Sequence, residues 1–310
     1  MTAGAEPHIL AVDLGGTHMR LACVDFGGKV KKLCKLKLED KTPDGVARRI
    51  SEEAQKLSKA LGTHLKVCGI GIAAMLRGQV VAIAPNLGWR EEAFGRRLEE
   101  RLGFGAFLFN DLSAAAWGEY SLGAARGFGN ALTIFIGSGI GGALMSNGRL
   151  IEGAGGLAGE LGHVKLGGGH TALCGCGQRG CLEAYAGGSN LPKRMAEEGL
   201  EGGAKELEAL AQQGNPVAQK LYNFVCSQLG LAIANAVTLL NPDVLILGGG
   251  VLRHCPGMLK AIEVGVRGQA SAAALEGLDI RGASLGDDSG LLGAALLAGR
   301  AFFALRAGFI

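Results

Sequence analysis

The sequence predicts an α/β protein built from two structurally related halves, and three observations carry that prediction. Segments 9–25, "ILAVDLGGTHMRLACVD", and 132–148, "LTIFIGSGIGGALMSNG", share one plan: a continuous apolar strand, a glycine-rich turn, then a second strand with alternating side chains. A β-rich unit recurring at that distance points to duplicated halves, because a solenoid repeats at a much shorter period. Strand patterns alternate with helical ones, as crossover connections require. Finally, 310 residues with 48% hydrophobic and 19% charged content exceed one compact domain, so two are expected.

The elements follow in order. After the first strand pair, "KVKKLCKLKLEDK" at 29–41 interleaves lysines with apolar residues. That is the pattern of a solvated edge strand, where lysine discourages edge-to-edge pairing, rather than of a nucleic-acid stripe. A charged helix is expected at "PDGVARRISEEAQKLSKALG" (43–62), a strand at "KVCGIGIAAM" (66–75), a helix at "REEAFGRRLEERLG" (90–103), and a strand at "AFLFND" (106–111) leading into helical 112–125. In the second half, "GALMSNGRLIEG" alternates and turns at Asn147 and Gly148, a hairpin signature. A long helix over 215–240 stops at Asn241-Pro242, a buried strand follows at 243–250, and an apolar helix over 289–306 closes the chain. The first domain is expected over 1–112 with the C-terminal helix, 290–310, returning to it; 113–289 form the second domain.

Several classes are disfavoured. The N-terminal "MTAGAEPHILAVD" lacks the cationic start and long apolar run of a secretory signal, and the apolar run 229–250 is broken by Asn235, Asn241, Pro242 and Asp243 before it could span a bilayer. A cytoplasmic location with no membrane partner is expected. Formal net charge is +3 with scattered Lys and Arg, so no nucleic-acid partner is expected. Cys23, Cys34, Cys68, Cys226 and Cys255 stand singly in apolar surroundings as reduced packing residues, whereas Cys174, Cys176 and Cys181 cluster.

The glycine turns carry the chemistry. "GSGIGG" at 137–142 fits G-x-G-x-x-G, but dinucleotide binding needs a helix after the glycines, and here a hairpin follows. What survives is a tight β-turn whose N–H groups can form a concave anion nest, and two such nests from the two halves would hold a polyphosphate between domains. In the first turn, Asp13 can hold Mg²⁺ or its waters, Gly15 and Gly16 let phosphate approach backbone N–H, and the Thr17 hydroxyl can donate. The plainer alternative is an Asp that caps its own turn. No lysine follows the glycines in a Walker pattern, which argues against a P-loop enzyme.

Seven motifs in order, "DLGGT" (13–17), "PNLGW" (85–89), "FND" (109–111), "IGSGIGGAL" (136–144), "GGLAGELGH" (155–163), "CGCGQRGCLE" (174–183) and "LGGGV" (247–251), resemble the ROK sugar kinases of the hexokinase and actin-like ATPase superfamily, and within them the bacterial glucokinases. The resemblance implies a two-domain α/β actin-like ATPase (ribonuclease H-like) fold with a cleft, ATP and Mg²⁺ as cofactors, and a homodimer or homotetramer. It implies phosphorylation of a hexose, with glucose to glucose 6-phosphate as the leading reaction. An N-acetylglucosamine or N-acetylmannosamine kinase and a non-catalytic ROK-type sugar sensor are the alternatives.

Site residues follow from both sources. Asp111, where an apolar strand meets a helix, is the candidate general base that takes the sugar hydroxyl's proton; a plain N-cap is the alternative. Asn86 and Asn110 suit a ring of hydroxyls, and Glu160, His163 and Glu183 complete the sugar set by resemblance, with Asp111 among them. Trp89 is either a sugar platform or a core residue. Gly137, Ser138 and Gly139 join the first turn on the phosphates, and Gly248, Gly249 and Gly250 are placed near the adenosine. His163 with Cys174, Cys176 and Cys181 offers a closed tetrahedral set for structural Zn²⁺, leaving the second ring nitrogen of His163 to donate toward the sugar. His170 falls among glycines and is expected to be exposed. His18 stands where many relatives carry Lys, and Ser138 where Thr is common. Polyphosphate-using relatives typically lack the cysteines, which favours ATP, and repressor relatives carry a helix-turn-helix ahead of the first motif, where here Asp13 is already near the start.

Overall fold

In the computed structural model, which describes residues 7–307, thirteen strands fall into three sheets. Strands β1 (Pro7–Leu14), β2 (His18–Val24), β3 (Val30–Lys37) and β4 (His64–Ile72) are followed by β5 (Met75–Arg77), β6 (Val80–Ala84), β7 (Trp89–Glu92) and β8 (Gly105–Asn110). The chain forms two compact units, the first comprising the residues up to Arg126, a short return at Gly153–Leu157 and the C-terminal segment from Asp287. Its main sheet has the order β3-β2-β1-β4-β8, antiparallel from β3 to β1 and parallel from β1 to β8. The apolar run Ile9–Val12 is wholly buried in the middle of that sheet, while lysine-rich β3 lies at its edge with its side chains largely in solvent.

Local signals set the helix ends. Thr42 caps helix Pro43–Leu61 by accepting from Gly45 N–H, Pro43 occupies the first turn, and Gly62 ends it at φ 58°. The segment expected as helix 90–103 departs from that reading: Trp89–Glu92 is a strand paired to β6, and the helix begins at Phe94. The Trp89 indole donates to the Lys41 carbonyl at 2.7 Å and its ring packs 4.7 Å from Phe94, so tertiary contacts hold the backbone extended against its local preference. Helix Asp111–Ser121 packs on helix Ser289–Arg306 through glycines; a Cβ at Gly293 would stand 1.7 Å from the Ala114 carbonyl oxygen. Because of that packing the whole of helix Asp111–Ser121 belongs to the first unit, so the unit ends at Arg126 and the expected domain change at 112 is corrected. Residues 308–310 of the expected closing helix lie outside the described residues.

The second unit, Gly127–Glu152 with Ala158–Gly286, contains β9 (Ala131–Ile136), β10 (Ile140–Ser146), β11 (Arg149–Ile151), β12 (Val244–Gly248) and β13 (Asp279–Gly282). Its order, β11-β10-β9-β12-β13, repeats the first sheet strand for strand, with the same three antiparallel and two parallel members. The repeat visible in sequence is therefore a repeat of topology, and the two glycine turns occupy equivalent places. Asn147 and Gly148 turn the hairpin with φ of 49° and 71°. Helix Pro216–Leu240 starts under the Asn215 cap and ends at Asn241, φ 43°. This helix and the closing one are long and apolar enough to cross a membrane by length and composition. In the former, the stripe Leu221, Val225, Leu229, Ile233 and Val237 is buried in the core of the second unit.

Candidate active site and metal centre

In the first unit the sheet places its polar residues at one edge. Asp13 lies near the carboxyl end of β1, and Asn110 and Asp111 stand where β8 passes into its helix. Register carries Leu14 across Ile72 to Asn110, so the two motifs are two strands apart, roughly 10 Å at the usual strand spacing. Carboxyl ends of parallel strands are where open α/β sheets bind ligands.

Asp13 pairs in register with Arg20 on β2. The Arg20 guanidinium donates to the Asp287 carbonyl and to the Asp288 carboxylate. Burial pushes the Asp13 carboxyl above its ordinary pKa; Arg20 pulls it down and Asp287 pushes it further up. A carboxyl with a raised folded pKa holds its proton more tightly folded than unfolded, so above that pKa the ionised group subtracts from stability, and the penalty lifts as pH falls through it. Asp13→Asn is thus expected to raise the melting temperature of the ligand-free protein at pH 7 by about 2–4 °C. Differential scanning calorimetry measures this, and an unchanged or lowered value would contradict it. Asp13, half-buried and within electrostatic reach of Asp287, is a carboxylate that could hold Mg²⁺.

The turn glycines differ in what their backbones do. None of Gly15, Gly16, Gly137 and Gly139 lies in the left-handed region. Gly15 N–H closes its own turn on the His18 carbonyl at 3.0 Å, and Gly137 N–H does the same on Gly139 at 2.9 Å, so these two donors are used within the turns. Glycine is required for close approach instead: a Cβ on Gly16 would lie 2.7 Å from the Cβ of Asn86. That contact brings exposed Asn86 against the first turn, beside exposed Thr17.

Asp111 is half-buried at the first position of its helix, and its Oδ1 accepts from Leu112 N–H at 3.0 Å. The cap of that helix is Asn110, whose Oδ1 accepts from Leu112 and Ser113 N–H at 3.0 and 3.1 Å. Its Nδ2 donates to the Ala74 carbonyl at 3.3 Å, which leaves Asn110 one amide hydrogen. Trp89 is 5% exposed and is a core residue.

In the second unit, Gly137 and Ser138 line a pocket of about 340 Å³ together with Gly250. Ser189, Lys205 and His254 complete it. No sequence pattern points to these three, because a lone serine, lysine or histidine has no spacing that marks it. Gly249 has φ 97°, and a Cβ there would stand 2.4 Å from the Ile136 carbonyl oxygen, while one on Gly248 would stand 2.7 Å from the Ala283 Cβ; both let β12 end tightly against its neighbours.

The donor atoms of His163, Cys174, Cys176 and Cys181 lie within 4.8 Å of one another. His163 Nδ1 is 3.7 Å from Cys174 Sγ, and Cys176 Sγ is 3.7 Å from Cys181 Sγ. Ligands tetrahedrally arranged at zinc bond lengths stand roughly 3.5–3.8 Å apart, which the His163–Cys174 and Cys176–Cys181 separations match, so these four residues could hold one zinc ion. Burial pushes the Cys174 thiol up to about 12, while the Gln178 backbone N–H lowers Cys176. Lys165 Nζ donates to Cys181 Sγ at 3.1 Å, a cation beside a set of thiols whose bound form is anionic. His163 Nε2 faces away from the sulfurs, 3.6 Å from Glu160 Oε2. Burial raises the Glu160 pKa, His163 lowers it and Glu183 raises it again. Glu183 Oε2 accepts from Ile140 N–H at 2.8 Å. His170 is half-buried rather than exposed, its ring 5.0 Å from Tyr185 and 5.3 Å from Phe224 of helix Pro216–Leu240, and the Tyr185 hydroxyl accepts from Ala172 N–H.

Two units that repeat one sheet, each a three-stranded antiparallel run continued by two parallel strands with a glycine turn between its first two strands, define a two-domain protein of the actin-like ATPase, ribonuclease H-like class. The ROK family pattern matches residues 9–301, and the chain belongs to the ROK family. A glucokinase of Streptomyces coelicolor is 32% identical over 316 residues, covering 93% of this chain and 96% of the relative. An N-acetylmannosamine kinase of Shigella flexneri is 32% identical over 295 residues, covering 94% and 98%. The crystal structure of a ROK family glucokinase from Streptomyces griseus, in complex with glucose and AMPPNP, superposes with a TM-score of 0.78 at 30% identity, covering 94% of this chain and 99% of that one.

Proposed function

We propose that this chain is a hexose kinase that transfers the γ-phosphoryl group of ATP to a sugar hydroxyl, with glucose as the substrate and glucose 6-phosphate as the product. The observation that supports it most is Asp111: a carboxylate at the carboxyl edge of β8, at the first position of a helix whose cap is Asn110. The helix N-terminus stabilises its ionised form, as a proton acceptor requires. With one oxygen held by Leu112 N–H, the carboxylate is oriented to receive the proton of the attacking hydroxyl. Phosphoryl transfer depends mainly on positioning and charge neutralisation. Mg²⁺ held at Asp13 would supply that neutralisation, with Gly16 N–H and the Thr17 hydroxyl as donors to the phosphates and Gly15 keeping the turn that presents them.

In the second unit Gly137, Ser138 and Gly139 serve the phosphates, and the pocket bounded by Gly250 accommodates the nucleoside. Asn86, Asn110 and Asp111 in the first unit suit the reading of sugar hydroxyls, and Glu160, His163 and Glu183 in the second unit suit the same chemistry. Structural zinc on His163, Cys174, Cys176 and Cys181 would fix the loop that carries Glu160 and Glu183. The outward Nε2 of His163 suits a donor role toward the sugar. A cytoplasmic homodimer or homotetramer with no nucleic-acid or membrane partner completes the reading.

A second reading, an N-acetylmannosamine or N-acetylglucosamine kinase, has a specific support: the N-acetylmannosamine kinase relative matches this chain at the same 32% identity as the glucokinase relative. A non-catalytic sugar sensor is disfavoured by the presence of both Asp13 and Asp111. Coupled ADP release over glucose, N-acetylglucosamine, N-acetylmannosamine, mannose and fructose tests all three. The highest kcat/KM is expected for glucose; a 2-acetamido sugar in first place selects the second reading, and no turnover on any sugar selects the sensor.

A further inference from the structure

The glycine turn of the second unit is gripped by one short segment of the same unit, Glu183–Ser189. Ile140 N–H donates to Glu183 Oε2 at 2.8 Å. Gly188 N–H donates to the Gly137 carbonyl and Ser189 N–H to the Ser138 carbonyl, both at 2.9 Å. Glycines permit this approach: a Cβ on Gly139 would stand 2.4 Å from Glu183 Oε2, and one on Gly188 would stand 2.4 Å from the Gly137 oxygen. The segment is itself fixed, since the Glu183 carbonyl accepts from Gly187 N–H at 2.9 Å and from Asn190 Nδ2 at 3.0 Å. The other carboxylate oxygen, Oε1, lies 3.9 Å from Cys174 Sγ, at the thiol cluster.

We propose that Glu183 is a positioning residue for the nucleotide's phosphates, holding the 137–140 turn in its binding conformation through Ile140 N–H, in addition to any contact it makes with sugar. The inference rests on the assignment of that turn to phosphate. A backbone anion site is effective only when its donors are oriented before the ligand arrives, since ordering them on binding subtracts from affinity. A carboxylate acceptor makes a stronger bond to the backbone than a neutral one.

The roles separate by substitution. In Glu183→Gln the amide oxygen still accepts from Ile140 N–H but the charge is gone; in Glu183→Met the volume remains and the acceptor is lost. Titration calorimetry of AMPPNP with Mg²⁺ into the zinc-loaded full chain, without sugar, is expected to show Kd raised about tenfold in E183M and less than about threefold in E183Q. Glucose Kd, measured in parallel, is expected to rise in both. If E183M does not fold, Glu183→Asp, one methylene too short to reach Ile140, replaces it. Wild-type nucleotide affinity in E183M, or equal losses in E183M and E183Q, overturns the inference alone. A wild-type protein that binds no nucleotide overturns it together with the assignment of the turn.

Discussion

Replacing Asp111 by Ala is expected to lower kcat for the preferred sugar by at least about a hundredfold while leaving the fold intact. The size of the loss follows from removing the proton acceptor from a reaction in which the attacking hydroxyl must shed its proton. Preservation of the fold follows from the local geometry. Asn110, not Asp111, carries the cap, bonding both Leu112 and Ser113 N–H, so deleting the Asp111 carboxylate leaves Leu112 N–H with a partner. Asp111→Asn provides the sharper comparison: it keeps the shape and the bond to Leu112, loses the basicity, and is expected to be as slow as Ala. A melting temperature within about 2 °C of wild type is expected for both, since Asn110 keeps the helix cap in either variant. Wild-type turnover in either variant would remove Asp111 from the mechanism.

Stripping zinc, by a strong chelator or by Cys181→Ser, is expected to lower the melting temperature and weaken glucose binding together. Structural zinc contributes on the order of 10 kcal/mol at neutral pH in small zinc domains. Here part of the loop is held independently, by Tyr185, Phe224 and His170 and by backbone pairing of Lys165 with Cys181 and of Leu173 with Arg179, so the loss is local rather than global. A fall of more than about 5 °C in melting temperature is expected, with glucose Kd raised at least about tenfold. The coupling arises at His163, whose Nδ1 faces Cys174 while its Nε2 faces Glu160: without the ion the ring loses the partner that fixes both its tautomer and its direction. Elemental analysis of the native protein is expected to give one zinc per chain. If chelation moved neither quantity, the four donors would not be holding a metal in the working protein.

What the sequence determined unaided is whatever depends on neighbours a few residues apart. The duplicated strand–turn–strand plan, the lysine-studded edge strand, the Thr42 start and Gly62 end of the first helix, the Asn147-Gly148 hairpin and the tight cysteine spacing all belong to that class, because capping, turn conformation, side-chain alternation and chelate spacing act over less than two turns of backbone. Tertiary structure decided the rest. It made residues 89–92 a strand by burying Trp89 against Phe94 and the Lys41 carbonyl, and it carried the first unit past 112 by packing two glycine-seamed helices together. It brought Gly16 against Asn86 and Gly139 against Glu183, packed half-buried His170 on Tyr185 and Phe224, and set Glu183 against a turn 43 residues earlier in the chain. These outcomes follow from which surfaces meet when the sheets are covered, and residues that meet only then carry no fixed spacing along the chain from which the contact could be read.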